Sequence, residues 1–186
     1  MRAKESIYSS AESLRTLIGI IVGQHHAYLK REFPSIEKLL TEIVQRGSGQ
    51  FCQTASAVFP VFLRFRRELE AHMKREEVTL FPLIDRMEAA IAEGRPVPRN
   101  RFGPLSNAIQ FMNEDHDFEN QLLGIMTEIS GGFTSPAEAP TNYALAMSRL
   151  RAMTIDLTEH VRKEDEVLFP QTIRVEDSAR LHELRM

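Results

Sequence analysis

Apolar residues recur three and four positions apart along most of this chain, a spacing that predicts amphipathic helices. Ser9 followed by Glu12 has the spacing of a capping box, so a first helix is predicted to start there. The pattern continues past Pro34, where a kink or a restart is expected because proline lacks a backbone N–H. Gly47-Ser48-Gly49 is predicted to end the helix. The apolar positions of its inner face include Leu14, Leu17, Ile18, Ile21, Val22, Leu29, Ile36, Leu39, Leu40 and Ile43.

A second helix is predicted over about residues 51–92, with breaks where Pro60 and Pro82 remove backbone donors. The segment 94–104 reads GRPVPRNRFGP, and its prolines and glycines predict a loop. A third helix is predicted from Ser106 to Ser130. It should stop there because the two glycines that follow favour the backbone of a helix end.

The C-terminal part of the chain predicts one long helix and a short one. After the loop FTSPAEAP, the fourth helix is predicted over 142–169, ending against Pro170. The charged tail 175–186 predicts a short peripheral helix. No segment alternates convincingly at strand period. The sequence therefore predicts an all-α protein, an up-down four-helix bundle with a short C-terminal helix.

At 186 residues the chain fits one domain, so we predict a metal-binding bundle over 10–171 and a helical tail over 172–186. Cys52 is the only cysteine, which excludes an intramolecular disulfide and suits a reducing cytoplasm. The N-terminal residues lack the apolar core of a leader, and no run approaches the roughly 20 apolar residues of a membrane span. A formal net charge of -3 gives no basic field for nucleic acid or anionic membrane. We therefore expect a cytoplasmic protein with neither partner.

One motif occurs twice and carries the candidate chemistry. Residues 72–82 read HMKREEVTLFP, and residues 160–170 read HVRKEDEVLFP. Each copy has a histidine, a glutamate four positions later and a closing Leu-Phe-Pro. A further histidine precedes each copy at a similar distance, His26 before the first and His116 before the second. Such self-similarity indicates two copies of one structural unit.

Helical geometry gives the repeat its chemical meaning. Residues four apart lie on one face of a helix, so each motif histidine can point into the same cavity as its glutamate. Imidazoles and carboxylates suit first-row transition metals, and a carboxylate can bridge two ions. Bundle cores commonly host such sites, with ligands drawn from facing helices. Four histidines and two glutamates would serve two irons and leave coordination positions open.

Spacing alone does not assign a role to several residues that neighbour the candidate ligands. His25 adjoins His26, and since adjacent helical residues point about 100° apart, only one of them is expected to face the metal. The apolar pattern of the helix would turn His25 inward. The acids around His116, namely Asp115, Asp117 and Glu119, are candidates for a hydrogen bond to its ring.

The other acids and the Leu-Phe pairs of the motifs, and the histidine in the tail, are not predicted to bind metal. Three acids next to the motif glutamates are predicted to be solvated: Glu77, Asp165 and Glu166. The Leu-Phe pairs of the motifs are predicted to pack in the core. His182 lies in the charged tail and is predicted to be on the surface.

These residues resemble the hemerythrin-like, cation-binding HHE family, and within it the metal domain of the repair-of-iron-centres proteins. The resemblance rests on both motif copies, on His25-His26 followed by REFP at 31–34, and on EDHD at 114–117. It implies a non-haem di-iron site, oxo- or hydroxo-bridged, in which the two motif glutamates bridge the irons. It also favours His26 over His25, by its spacing to Pro34. The ligands that it implies are His26, His72, Glu76, His116, His160 and Glu164.

The sequence departs from the family pattern in two respects. The characteristic member has a further histidine at the start of the second helix, where this chain has GSGQFC at 47–52. One iron is therefore expected to be less fully ligated, more open or less tightly held. Cys52 can replace that histidine only if the loop shifts, and the sequence favours a buried free thiol instead. Such proteins also often carry a cysteine-containing N-terminal domain, which this sequence does not show.

Three functions are compatible with the pattern. The first, implied by the resemblance, is a di-iron stress protein that repairs iron–sulfur centres damaged by nitric oxide or peroxide, donates iron, or acts on nitric oxide or dioxygen. Its partners would be those small molecules and iron–sulfur proteins. The second is a carrier or sensor of dioxygen or nitric oxide, against which His-x-x-x-Glu counts, since classical carriers have His-x-x-x-x-Asp on the last helix. The third is a helical interaction protein with structural or zinc-bound histidines, although zinc prefers four ligands.

Overall fold

The structure is a computed structural model that describes residues 13–98, 100 and 103–184. These residues form four long helices, which we label α1 over 14–46, α2 over 49–92, α3 over Leu105–Ile129 and α4 over 141–183. The described residues contain no strand, so the predicted all-α fold is confirmed. Helix α1 packs against both α2 and α4, and α2 packs against α3.

Local sequence sets the ends of the helices. The capping box predicted at Ser9 and Glu12 lies outside the described residues. Within them, α1 begins at Leu14, and Ser13 is its N-cap. The Ser13 side chain accepts a hydrogen bond from the Thr16 backbone N–H. At the end of α3, Gly131 and Gly132 have φ angles of 62° and 77°, which glycine adopts without a Cβ clash. Their N–H groups donate to the Glu128 and Thr127 carbonyls, which satisfies the end of the helix as predicted.

The prolines interrupt the helices less than the sequence predicts. Pro34 and Pro60 lie inside continuous α-helix, so the predicted restart and break at these positions are wrong. Pro82 and Pro170 each follow a widened π-helical turn, and the helix continues after both. The fourth helix therefore does not end against Pro170. At the start of an α-helical segment the missing N–H is tolerated, because that position needs fewer intrahelical donors.

Three of the four long helices contain a π-helical segment: Ile21–His26 in α1, Glu76–Leu80 in α2 and Glu164–Leu168 in α4. At the second and third of these, the Phe81 and Phe169 N–H groups donate to carbonyls five residues back. A π-helical turn therefore holds one residue more than an α-helical turn, which widens it and reorients its side chains. Such turns occur often at functional sites. Periodicity at 3.6 residues gives no sign of these segments.

Two apolar clusters fill the bundle, one towards each end. The larger is built on aromatic and aliphatic side chains such as Phe33, Phe62, Phe65 and Leu150, all fully buried. The smaller gathers the two Leu-Phe pairs of the motifs with residues near the start of α1 and α3. Between the clusters lies a buried layer of histidine and glutamate side chains, to which each of the four helices contributes. The Leu-Phe pairs are therefore core residues, as predicted.

The last part of α4, Phe169–Glu183, corresponds to the predicted tail helix and is longer than predicted. Thr172 and Glu176 are buried, and Glu176 accepts a hydrogen bond from the Leu105 N–H at the start of α3. The division into a bundle over 10–171 and a tail over 172–186 stays a prediction. Within the described ranges, no helix combines the length and apolarity that crossing a membrane requires.

Candidate metal centre

The structure brings the six predicted ligands together in the buried layer. Their ligand atoms form two groups, each with all such atoms within 4.8 Å of one another. Both glutamates belong to both groups, and each group adds one upstream histidine and one motif histidine. The first group is His26, His160, Glu76 and Glu164, and the second is His72, His116, Glu76 and Glu164.

Short distances define the first group. His26 Nε2 lies 3.2 Å from His160 Nε2 and 3.3 Å from Glu76 Oε2. His160 Nε2 lies 3.0 Å from Glu164 Oε1. All of these side chains are completely buried. Two imidazole nitrogens and two carboxylates from α1, α2 and α4 therefore face a common point.

The second group repeats this geometry. His116 Nε2 lies 3.2 Å from His72 Nε2 and 3.2 Å from Glu164 Oε2. His72 Nε2 lies 3.4 Å from Glu76 Oε2. The two oxygens of Glu164 thus face different groups, Oε1 the first and Oε2 the second. That is the orientation of a carboxylate that bridges two ions.

The donor atoms fit metal ions in both number and spacing. Ligands about 2.1 Å from a first-row ion are separated from each other by about 3.0–3.4 Å in octahedral or tetrahedral arrangements, and the contacts above span 3.0–3.4 Å. Both Glu76 oxygens and one Glu164 oxygen are buried with no hydrogen-bond partner among the described residues. Buried carboxylate oxygens without partners are expensive, and a cation would satisfy them.

Carboxylates behind the rings of two upstream histidines fix their orientation. His26 Nδ1 donates to Glu77 Oε1 at 2.7 Å, and His116 Nδ1 lies 3.0 Å from Asp165 Oδ1. An ionised carboxylate only accepts hydrogen bonds, so each Nδ1 carries the proton and Nε2 keeps its lone pair for a metal. Asp165 is exposed, as predicted, whereas Glu77 is half-buried and not solvated to the extent expected. Both acids also contact a histidine on another helix, which the sequence did not predict. Glu166 is exposed, as predicted.

The motif histidines have different surroundings. His72 Nδ1 lies 3.5 Å from Asp115 Oδ2 and 3.9 Å from Glu119 Oε1. It makes no hydrogen bond to any residue that the structure describes. His160 Nδ1 likewise has no partner among the described residues. Asp115 and Glu119 therefore approach the ring of His72 and not that of His116, near which the sequence placed them.

Burial and neighbouring charges shift the pKa values of several side chains in this layer. Burial disfavours the charged form of His116, but Asp165 and Glu164 outweigh it and raise its pKa to about 9. The pKa of His72 is well above its usual range because Glu76 and Asp115 outweigh burial. Burial, aided by the nearby Asp115 and Glu76 carboxylates, raises the pKa of Glu119 to about 7 against the opposing effect of His72 and His116. A metal ion binds the neutral imidazole, so it must displace the additional proton of His72 and His116 where these rings are protonated.

The other histidines and the cysteine lie outside both groups. His25 is buried; its Nδ1 lies 3.0 Å from Asp156 Oδ1 and its ring stacks on that of His160 at 5.5 Å. Cys52 is half-buried in the first turn of α2, where its Sγ lies near the Val44 carbonyl of α1. His182 is on the surface, as predicted.

Two features of the site were not foreseen as functional. The π-helical segments begin at Glu76 and at Glu164, and the one in α1 ends at His26. The doubled Leu-Phe-Pro was a signal for the segments in α2 and α4 only, since a proline at the same offset in both copies marks a repeated irregularity. Phe81 and Phe169 also stack on the rings of His26 and His116, each at 6.1 Å. They cover the histidine–glutamate layer as well as filling the core.

The fold and the layer define a four-helix bundle whose core presents two imidazole–carboxylate groups that share both carboxylates. Residues 20–172 match the family model described as Hemerythrin HHE cation binding domain. The match spans most of the chain, which therefore belongs to this family. The predicted cofactor, a pair of non-haem irons, agrees with the family and with the two buried groups.

Curated relatives are similar over a comparable length. The iron-sulfur cluster repair protein YtfE of Yersinia pestis strain Pestoides F is 26% identical over 165 residues, which cover 89% of this chain and 68% of the relative. The protein of the same name from Yersinia pseudotuberculosis serotype IB, strain PB1/+, has the same identity and coverage. The resemblance found in the sequence is thus confirmed at the level of the family.

Proposed function

We propose that this protein binds two non-haem irons and works in the repair of iron–sulfur clusters under nitrosative or oxidative stress. The observation that carries the proposal is the pair of buried glutamates shared by two histidine pairs. Three of their four carboxylate oxygens have no hydrogen-bond partner among the described residues. The ligands would be His26 and His160 for one iron, His72 and His116 for the other, and Glu76 and Glu164 for both.

The chain's own residues would prepare the site for two cations. Glu76 and Glu164 supply the two negative charges shared between the groups, and the four histidines supply neutral nitrogens. Glu77 and Asp165 hold the protons on the far side of two rings, so the lone pairs face inward. When bound, an iron pair supplies redox chemistry and open positions for small molecules. The apolar clusters above and below keep bulk water from the layer.

The repair role is supported by the names of the relatives, which are iron-sulfur cluster repair proteins. Partners of the proposed function are therefore iron–sulfur proteins, with nitric oxide, dioxygen or peroxide as small molecules that reach the irons. We place this work in the cytoplasm, where one cysteine without an intramolecular partner stays reduced. A carrier function would need reversible binding without loss of iron, and no feature of the site favours it.

The proposal is tested by metal content and spectrum. Protein purified aerobically without added metal should hold about two irons per chain, with an absorption band from an oxo bridge. Glu76→Ala and His160→Ala should lose both the second iron and the band while remaining helical by circular dichroism. The exposed Glu166→Ala is the matched control and should keep both. Folded protein that takes up no ferrous iron would overturn the proposal.

The repair role needs a second assay. Iron-loaded protein is mixed under anaerobic conditions with an iron–sulfur protein whose cluster nitric oxide has damaged, together with sulfide and a thiol reductant. Recovery of the target's cluster absorption, and no recovery with Glu76→Ala, is the expected result. Iron that stays bound while nitric oxide or dioxygen binds and leaves reversibly would instead support the carrier.

A further inference from the structure

The two metal positions differ in what lies behind their histidines. Behind His26 and His116, carboxylates lie within 3.0 Å of Nδ1. The motif histidines differ from each other: His72 has two carboxylates within 3.9 Å of its Nδ1, while His160 Nδ1 makes no hydrogen bond to any described residue. The His72–His116 position therefore has carboxylate groups near both rings, and the His26–His160 position near one.

Glu119 is the least explained group in this layer. It lies on α3 nearly one turn after His116, only 2% of it is exposed, and both of its oxygens lack a hydrogen-bond partner among the described residues. Its Oε1 is 3.9 Å from His72 Nδ1, which is also buried and makes no hydrogen bond within the described part of the chain. A donor and an acceptor, both unsatisfied, thus face each other about 1 Å beyond hydrogen-bond distance.

Asp115 is nearer to His72 Nδ1, at 3.5 Å, but it has another partner. Its Oδ2 accepts a hydrogen bond from Arg75 Nη2 at 2.5 Å, and the side chain is 32% exposed. An exposed carboxylate that already neutralises an arginine contributes less to a neighbouring imidazole than a buried one. Glu119 is therefore the stronger candidate to accept the Nδ1 proton of His72.

The repeat of the chain provides an internal comparison. Leu29 follows His26 by three positions, as Glu119 follows His116, and it is fully buried. The equivalent place in the other half of the bundle is thus occupied by an apolar core side chain. The carboxylate is present in one half only, so it distinguishes two sites whose ligands are otherwise the same.

We propose that Glu119 is a positioning residue that accepts the Nδ1–H of His72 in the metal-bound protein and makes the His72–His116 position the tighter of the two. A carboxylate behind an imidazole fixes its tautomer and makes the ligating nitrogen more basic, which strengthens the metal bond. The ion at the His26–His160 position is then the one that leaves first. This inference rests on the proposed binding of two metal ions.

The test is an anaerobic titration of the metal-free protein with ferrous iron alone, in competition with a chelator of known affinity. The wild type should bind in two steps separated by tenfold or more. Glu119→Leu, which copies the residue of the other half, should weaken the tighter step by about 10–100-fold. Glu119→Gln should weaken it less, because an amide oxygen still accepts the hydrogen bond without the charge. Glu77→Gln should weaken only the looser step, which assigns that step to His26.

Thermal unfolding of the metal-free variants separates positioning from mere packing. Glu119→Leu should raise the melting temperature of metal-free protein while it lowers metal affinity, because leucine removes an unpaired buried carboxylate. A packing role would lower both. Glu128→Leu, the same replacement on the exposed side of α3, is the matched control and should leave the affinity unchanged.

The outcomes are distinct. Folded protein without any iron binding would refute the proposed function and this inference with it. Two equal steps, or unequal steps that Glu119→Leu leaves untouched, would overturn the inference and leave the two-iron function standing. Loss of the tighter step in Asp115→Asn but not in Glu119→Leu would also overturn it, by assigning the role to Asp115.

Discussion

Replacement of Glu77 by alanine tests how strongly the site depends on residues that touch no metal. Glu77 Oε1 accepts a hydrogen bond from His26 Nδ1 at 2.7 Å, and the His26 side chain is completely buried. Without Glu77, the ring is free to turn or to place its remaining proton on Nε2, where the metal lone pair is needed. The Glu77→Ala protein should therefore bind one of its two ions more weakly.

The magnitude follows from the contact. A hydrogen bond to a charged group contributes about 1.5–3 kcal/mol, and each 1.4 kcal/mol corresponds to about tenfold in affinity. The expected loss is therefore about 10–100-fold, the range found when the partner of a metal-bound histidine is removed. Lys30 also contacts Glu77, at 2.6 Å, but it is 50% exposed. An exposed ion pair contributes about 0–1 kcal/mol, so Lys30→Ala should change affinity by less than about fivefold.

The assay is chelator competition with ferrous iron on the wild type, Glu77→Ala and Lys30→Ala, each checked for helicity. Asp165→Ala provides a fourth protein, in which the equivalent contact to His116 is removed and the other ion should weaken. The reasoning is refuted if Glu77→Ala binds both ions as the wild type does. It is also refuted if Lys30→Ala loses as much affinity as Glu77→Ala.

Three further predictions concern protons, the metal and the core. Metal binding should tighten as pH rises from about 6.5 to 9, because the pKa of His116 is raised to about 9 and a protonated ring cannot ligate; titrations at several pH values would show this, and pH-independent affinity contradicts it. Removal of metal with a chelator should lower the melting temperature, because ions bind the folded state alone; calorimetry with and without chelator that gives the same value would exclude a metal site in the fold. Phe62→Ala should destabilise the protein by about 3–5 kcal/mol in urea unfolding, because Phe62 is fully buried in the larger cluster. The folded variant should still bind two irons. Loss of metal at full helicity would contradict the view that the larger cluster stabilises the fold without contributing to the metal site.

The sequence predicted the fold well because its strongest signals are local or repeated. Helical periodicity, the loop at 94–104 and the stop after α3 depend on neighbouring residues, so each could be located without knowledge of the packing. The pairing of each motif histidine with its glutamate needs only the geometry of one helix. The doubled motif and its upstream histidines then indicated that facing helices bring all six side chains together.

What the sequence did not predict depends on contacts between helices. The contacts of Glu77 with His26 and of Asp165 with His116 were not predicted, because nothing along the chain shows that these histidines lie opposite the two acids. Glu119 was considered for the ring of His116 on its own helix, yet it approaches His72 on α2. Pro82 and Pro170 were expected to interrupt helices. Each instead follows a π-helical turn, and the helix continues beyond it.

A crystal structure of the iron-loaded protein with anomalous data at the iron edge is the most direct test of the central claim. It should show two peaks per chain, about 3.5–4 Å apart, with Glu76 and Glu164 each contacting both. One histidine pair should contact each peak, His26 with His160 and His72 with His116. A single peak, or two peaks that share neither glutamate, would contradict the account.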